Sequence, residues 1–208
     1  MLRRLRAARL YLICDERPDE FLQAALRGGV DVVQLRMKDS DEDRIVAAGR
    51  RFARLCAGHD ALFILNDRPD LVAACAADGV HVGQEDTPVA QARELLGPAR
   101  LVGLSTHTPE QIEQSNADSP DYIGVGPVYE TPTKPGRPAV GLALVGYAAQ
   151  HARMPFFAIG GIDAGNVKAV RRAGARGVAV VRALTEASEP ERVARQLRVP
   201  EGQPVGAT

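Results

Sequence analysis

The chain has 208 residues, 45% hydrophobic and 25% charged, which is the composition of a globular protein with enough apolar material for one substantial core. Lys plus Arg and Asp plus Glu each total 26, so net charge gives no ground for a nucleic acid or a membrane surface as an obligate partner. The three cysteines, Cys14, Cys56 and Cys75, are odd in number and lack C-x-x-C spacing, which argues against a disulfide framework or a zinc site and for buried thiols.

The N-terminal segment M-L-R-R-L-R-A-A-R is basic, but the apolar run after it is too short for a signal-peptide core, and a cytoplasmic location is expected. From there, short apolar runs alternate with amphipathic stretches. The runs are Leu10–Cys14, Asp31–Leu35, Leu62–Leu65, Gly79–Val82, Leu101–Leu104, Tyr122–Val125, Phe156–Ile159 and Gly177–Val181. They are mostly continuous rather than alternating in polarity, as in parallel strands buried on both faces.

Between them lie helix patterns. Ile45, Ala48, Phe52 and Leu55 recur at helical spacing. Thr87-Pro88 and Thr108-Pro109 each offer an N-cap with proline at the first helical position, and Gln111 completes a capping box with Thr108. Asp163 is placed to cap a helix carrying Val167 and Val170, with Gly174 just past its end. Strand-then-helix units repeated in this way predict a single (β/α)8 TIM barrel, α/β in class, over residues 1–200, with a disordered tail at 201–208. An open doubly wound sheet is the competing architecture, weakened by the absence of G-x-G-x-x-G after the first strand.

In a barrel the C-terminal strand ends form one rim, where chemistry is built. Gln34, Arg36 and Lys38 alternate along the second strand and project to one side, a phosphate-binding arrangement or else a solvated basic patch. Asn66-Asp67 ends the third strand and Glu85-Asp86 follows the fourth. Carboxylates from adjacent strands suit Mg²⁺, and Asp67 with Asp86 is the preferred pair, with Glu85 left open. Ser105 closes the fifth strand toward the mouth, whereas His107 reads as a loop or capping histidine. His59, His81 and His151 lack metal-ligand spacing and receive no role. Gly160-Gly161 and Val181-Arg182 end the seventh and eighth strands, where barrels commonly bind a phosphate through backbone N–H groups. The segment Asp121 to Gly136, a strand that breaks into Y-E-T-P-T-K-P-G, lies between these two anion sites. Two phosphorylated substrates, or one large one, would fit that layout.

Seven segments in order resemble thiamine phosphate synthase: Q-L-R-M-K at 34–38, N-D-R at 66–68, G-V-H-V-G-Q-E-D at 79–86, G-L-S-T-H-T at 103–108, G-V-G-P-V-Y-E-T-P-T-K-P-G at 124–136, A-I-G-G-I at 158–162 and V-V-R-A-L at 180–184. The resemblance implies a transferase of thiamine biosynthesis. It would condense 4-amino-2-methyl-5-hydroxymethylpyrimidine diphosphate with hydroxyethylthiazole phosphate, releasing pyrophosphate. Carried over by position, Gln34, Arg36, Lys38, Asn66, Ser105 and Lys134 would hold the pyrimidine diphosphate, with Arg36, Lys38, Ser105 and Lys134 as the catalytic set. Asp67 and Asp86 would bind Mg²⁺. Thr131, Thr133, Gly160, Gly161, Val181 and Arg182 would hold the thiazole phosphate.

Two positions depart from the family pattern. Met37 stands where an acidic residue is usual, on the strand face away from Gln34, Arg36 and Lys38. Arg182 stands where serine is more common, which alters the local phosphate geometry. The alternatives are a thiazole tautomerase of the same superfamily and a non-catalytic phosphate-ligand barrel. Small-molecule substrates, no nucleic acid and no membrane are expected, and a homo-oligomer is left open.

Overall fold

The computed structural model describes residues 1–131 and 138–198. Parallel strands β1 (Leu10–Cys14), β2 (Val32–Leu35), β3 (Leu62–Asn66), β4 (Gly79–Val82), β5 (Leu101–Thr106), β6 (Tyr122–Val125), β7 (Phe156–Ile159) and β8 (Gly177–Val180) pair in sequence order. Leu12 of β1 registers with Val180 of β8, so the sheet closes and the open alternative is excluded.

Successive residues of a strand face opposite sides. Tyr11, Ile13, Val32, Leu62, Ile64, Leu101, Tyr122, Phe157 and Ala179 pack inside the barrel. Leu10, Leu12, Val33, Leu35, Phe63, Val80, Val102 and Ile123 pack outside it, under the helices. Burial on both faces is why the strands read as continuous apolar runs. The interior is fitted around its rings. A Cβ on Gly103 would lie 2.2 Å from Tyr122 Cζ, and one on Gly177 would lie 2.6 Å from Phe157 Cδ1.

The N-terminal end of the barrel carries two features that the periodicity did not announce. Helix α1 (Leu2–Ala7) lies across it, and Leu5 and Ala8 join the inner cluster as a plug. An aspartate immediately precedes β2, β4 and β6. Asp31 Oδ2 accepts from the N–H groups of Arg9 (2.7 Å) and Leu10 (3.0 Å), Asp78 Oδ2 from Phe63 N–H (2.9 Å), and Asp121 Oδ2 from Val102 N–H (2.8 Å). Each carboxylate satisfies backbone donors at the start of the preceding strand, where the ladder gives out.

Around the barrel run α2 (Asp19–Arg27), α3 (Glu42–Ala57), α4 (Val89–Leu96), α5 (Pro109–Asp118), α6 (Gly141–His151), α7 (Val167–Arg172), α8 (Arg182–Thr185) and α9 (Pro190–Leu197). Helix α3 buries Ile45, Ala48 and Phe52, and Asp41 caps it by accepting from Arg44 N–H at 2.8 Å. Thr108 caps α5 as expected, accepting from Gln111 N–H at 3.3 Å. Its box is displaced by one residue, because Gln111 Oε1 accepts from His107 N–H rather than from Thr108.

Other helix starts need correction. Helix α4 begins at Val89, with Pro88 at the cap position and no cap from Thr87. The fixed φ of proline serves either the first helical residue or the extended one before it, and ψ 147° puts Pro88 in the second role. Asp163 does not cap α7. Its carboxylate accepts from the N–H groups of Gly165 and Asn166, a turn ahead of the helix, and Asn166 holds the cap position. After β3 there is no α-helix, only a 3-10 turn at Pro69–Leu71.

All three cysteines are buried and unpaired, as their number and spacing predict. Among the described residues no helix is long and apolar enough to cross a membrane. The tail at 201–208 lies outside the described residues.

Candidate active site

The strand C-terminal ends surround a cavity of about 360 Å³. Gln34, Arg36, Lys38, Asn66, Asp67, Asp86, Ser105, Thr131, Gly160, Gly161, Val181 and Arg182 all line it, although they come from seven separate segments. Thr133 and Lys134 lie outside the described residues. Met37, just past the end of β2, packs against the outer core and does not line the cavity.

One wall is made by β2, β3 and β4. Lys38 Nζ lies 3.2 Å from Asp67 Oδ2. Asp67 takes a left-handed backbone, φ 60°, and donates its N–H to the carbonyl of His81 at 2.9 Å, which ties the end of β3 to β4. Asp86 Oδ2 accepts from Gly83 N–H at 2.7 Å, closing the turn that carries it. Asp86 faces the cavity, whereas Glu85 is exposed and does not line it. Burial, then the neighbouring Asp86 carboxylate, hold the Asp67 carboxyl above the usual carboxylate range, with Lys38 opposing. Arg36 lines the same wall, and its guanidinium makes no ion pair or hydrogen bond among the described residues.

The opposite wall comes from β7, β8 and the segment after β6. Gly160 and Gly161 have φ +102° and +62°. They also admit a neighbouring chain, since a Cβ on Gly160 would meet Pro127 Cα at 2.5 Å and one on Gly161 would meet Tyr129 Cβ at 2.7 Å. Val128 and Tyr129 donate N–H bonds to the carbonyls of Ile159 and Gly160 (2.8 and 3.0 Å), which sews the loop after β6 onto β7. Tight turn and close approach therefore both explain the glycine pair. Gly160, Gly161, Arg182 and Ala183 donate no backbone hydrogen bond to groups of the described residues, which leaves N–H groups for an anion.

The floor is where sequence reading missed most. His81, assigned no role, points inward from β4. Its Nδ1 lies 3.2 Å from Tyr122 Oη and its Nε2 lies 2.9 Å from Ser105 Oγ. Tyr122 Oη is 2.9 Å from Tyr11 Oη, to which Gln34 Nε2 donates at 2.6 Å. Phe157 meets both tyrosine rings edge-on, at centroid distances of 5.2 and 5.7 Å. Burial raises both phenols above their usual range, so they stay protonated. The available signal was alternation in G-V-H-V, where Val80 and Val82 pack outward and leave His81 inward. His107 is a loop residue as expected, its N–H on Gln111 and its Nδ1 2.5 Å from the carbonyl of Gly126, but its ring also borders the cavity.

The family model described as thiamine monophosphate synthase matches residues 10–184, which takes in every strand of the barrel. The thiamine-phosphate synthase of Nostoc sp. is 51% identical over 197 residues, covering 93% of this chain and 56% of that protein. That of Thermus thermophilus is 50% identical over 198 residues, covering 91% of this chain and 95% of that protein. The chain thus spans little more than half the length of some curated relatives and nearly the whole of others. Among solved structures, thiamine phosphate pyrophosphorylase from Pyrococcus furiosus superposes with a TM-score of 0.85 at 30% identity, covering 95% of this chain and 96% of that one. A 3-hexulose-6-phosphate synthase, at 20% identity and a TM-score of 0.67, shares the fold alone. With a cavity assembled from the strand ends that carried the resemblance, and relatives of this identity over nearly its full length, the chain belongs to the thiamine monophosphate synthase family.

Proposed function

We propose that the protein joins 4-amino-2-methyl-5-hydroxymethylpyrimidine diphosphate to hydroxyethylthiazole phosphate, giving thiamine phosphate and pyrophosphate. The observation that carries this reading is one cavity with two anion-recognising walls over an aromatic floor: Arg36 and Lys38 on one side, Gly160, Gly161 and Arg182 on the other, and Tyr11, Tyr122 and Phe157 beneath. Two flat heterocycles, each ending in phosphate, match that shape and charge.

The reaction suits these residues. The bond between the methylene carbon and the diphosphate oxygen breaks, and its electron pair leaves with pyrophosphate. The aminopyrimidine ring spreads the resulting positive charge, and the thiazole nitrogen lone pair then forms the new C–N bond. Arg36, Lys38 and Lys134 would stabilise the departing charge, the electrostatic contribution that usually dominates such sites. Their preorganisation is the chief task, because no protein nucleophile is needed. The packed rings of Tyr11, Tyr122 and Phe157 limit the approach of water to the cation from below.

Asp67 and Asp86 fit a hard divalent cation. They offer oxygen donors side by side, and the raised carboxyl of Asp67 reflects burial first and then the neighbouring Asp86 carboxylate, a cost that a cation between them would reduce. Mg²⁺ bound there would supply Lewis-acid charge to the diphosphate. The test is direct: purified protein is mixed with both substrates and Mg²⁺ and the products are separated. Thiamine phosphate and pyrophosphate should appear together, and only when both substrates are present. No product from the complete mixture rejects the reading.

A further inference from the structure

We propose that Tyr11 and Tyr122 are positioning residues. A hydrogen-bond chain running from Gln34 through both phenols fixes His81 as the Nε2–H tautomer and leaves the Ser105 hydroxyl as a proton donor toward the substrate. The proposal rests on the reading of Ser105 as a contact for the pyrimidine diphosphate.

The sense of the chain follows from counting protons. The amide nitrogen of Gln34 has only protons to give, so Tyr11 Oη accepts from it at 2.6 Å. Tyr11 is 2% exposed, and among the described residues the remaining partner for its own proton is Tyr122 Oη at 2.9 Å. Tyr122, having accepted, passes its proton to His81 Nδ1 at 3.2 Å. With Nδ1 accepting, the imidazole proton sits on Nε2 and is donated to Ser105 Oγ at 2.9 Å. Ser105 Oγ has then accepted once, and its own proton is directed to a lone pair of the substrate. If Tyr122 donated back to Tyr11 instead, the Tyr11 proton would be stranded in a buried site, at a cost of ~1–3 kcal/mol. Only a turned-over Gln34 amide would run the whole chain backward, and it would put the His81 proton on Nδ1.

A second observation shows that the chain is built rather than incidental. Gly103 faces Tyr122, and a Cβ there would lie 2.5 Å from Oη, so β5 lacks a side chain where the hydroxyl must go. Phenylalanine would fill the same two ring sites without burying a hydroxyl, and buried hydroxyls are favourable only when bonded. Orienting one donor inside a closed barrel gives these hydroxyls a use.

The tautomer is read from ring 1H–15N correlations of 15N-labelled full-length protein at alkaline pH, with His81 assigned by its loss in His81→Gln. The wild type should give the Nε2–H pattern, and Tyr122→Phe should give a mixture of tautomers. The same variant should raise KM for the pyrimidine diphosphate by about tenfold, the worth of roughly one oriented hydrogen bond, while KM for the thiazole phosphate stays unchanged. An Nδ1–H pattern in the wild type overturns the proposal whether or not the variant folds. So does an unchanged His81 pattern in folded Tyr122→Phe, or an equal rise in both KM values. The spectrum needs no turnover, so failure of the synthase reading would show separately, as absent product with the tautomer intact.

Discussion

Replacing Asp67 separates two properties that meet in one residue. Its backbone sits at φ 60°, a left-handed conformation that costs an ordinary L residue ~1–2 kcal/mol, with Asn and Asp the usual exceptions after Gly. Asp67→Asn removes the charge and keeps the backbone preference; Asp67→Ala removes both. The alanine variant should therefore be less stable than the asparagine variant by ~1–2 kcal/mol, or about 2–8 °C in Tm for a domain of this size.

The charge acts in the opposite direction. An acid whose folded pKa lies above its unfolded value contributes stability below the unfolded pKa and loses it as pH rises through the folded one. Burial and Asp86 raise Asp67, so without metal its carboxylate is a net cost at neutral pH. The Lys38 pair offsets little of this, because the Lys38 side chain is 48% exposed and such pairs are worth ~0–1 kcal/mol. In chelator, the expected order of Tm is Asp67→Asn at or above wild type, then Asp67→Ala. Adding Mg²⁺ at a hundredfold excess over Kd should raise the wild type by about 2.7 kcal/mol and neither variant, and both variants should lose metal-dependent turnover. Thermal melts in chelator and in Mg²⁺, with product formation on the same samples, give the answer. An asparagine variant that keeps the wild-type Mg²⁺ shift or turnover removes Asp67 from the metal site. Equal melting of the two variants refutes the backbone argument.

Gly103→Ala places a methyl 2.2 Å from Tyr122 Cζ, so the ring must move by ~1 Å or more, an overpacking cost of about 1–3 kcal/mol, with the two phenol hydrogen bonds strained as well. Urea denaturation should show a loss of ~3 kcal/mol or more that is partly recovered when Tyr122→Leu is added, and a loss below about 1 kcal/mol would mean the interior is looser than the geometry says. The cysteines should be inert in the native state. Burial pushes the Cys56 thiol up to about 12 and raises Cys14 and Cys75 too, so a thiol reagent at neutral pH should react with the 3 cysteines only after unfolding. Fast labelling of the folded chain would show that one of them is reachable.

The rim of the site was legible because rim residues break the apolar pattern. Arg36, Lys38, Asp67 and Asp86 are charges at the ends of hydrophobic runs, and the eightfold repeat implied that such ends converge. Closure itself became visible only as the pairing of β8 with β1. Helix starts were legible where one residue type has one use, as at Thr108, and misread where local chemistry serves two. Pro88 suits a first helical residue and Asp163 a cap, yet Pro88 stands at the cap position before α4 and Asp163 closes a turn ahead of Asn166, the cap of α7.

The floor was illegible for a different reason. Tyr11 and Tyr122 lie in strands buried at every position, and His81 in one where every other position is buried, and in such a strand an inward polar group and an inward filler produce the same pattern. Registers bring them together: His81 stands beside Gly103, Gly103 beside Tyr122, and Ser105 one inward step further along β5. No spacing within a single segment encodes that meeting, yet the glycines bear its imprint. Gly103 lies where the phenol of Tyr122 needs room, and Gly124 lies where a Cβ would already be in contact with His81 Cε1 at 3.6 Å. Glycine weakens a strand interior unless something large must pass close to it. An inward glycine in a buried strand therefore points to a ring on its neighbour, and where that ring carries a hydroxyl or an imidazole it points to the floor of a site.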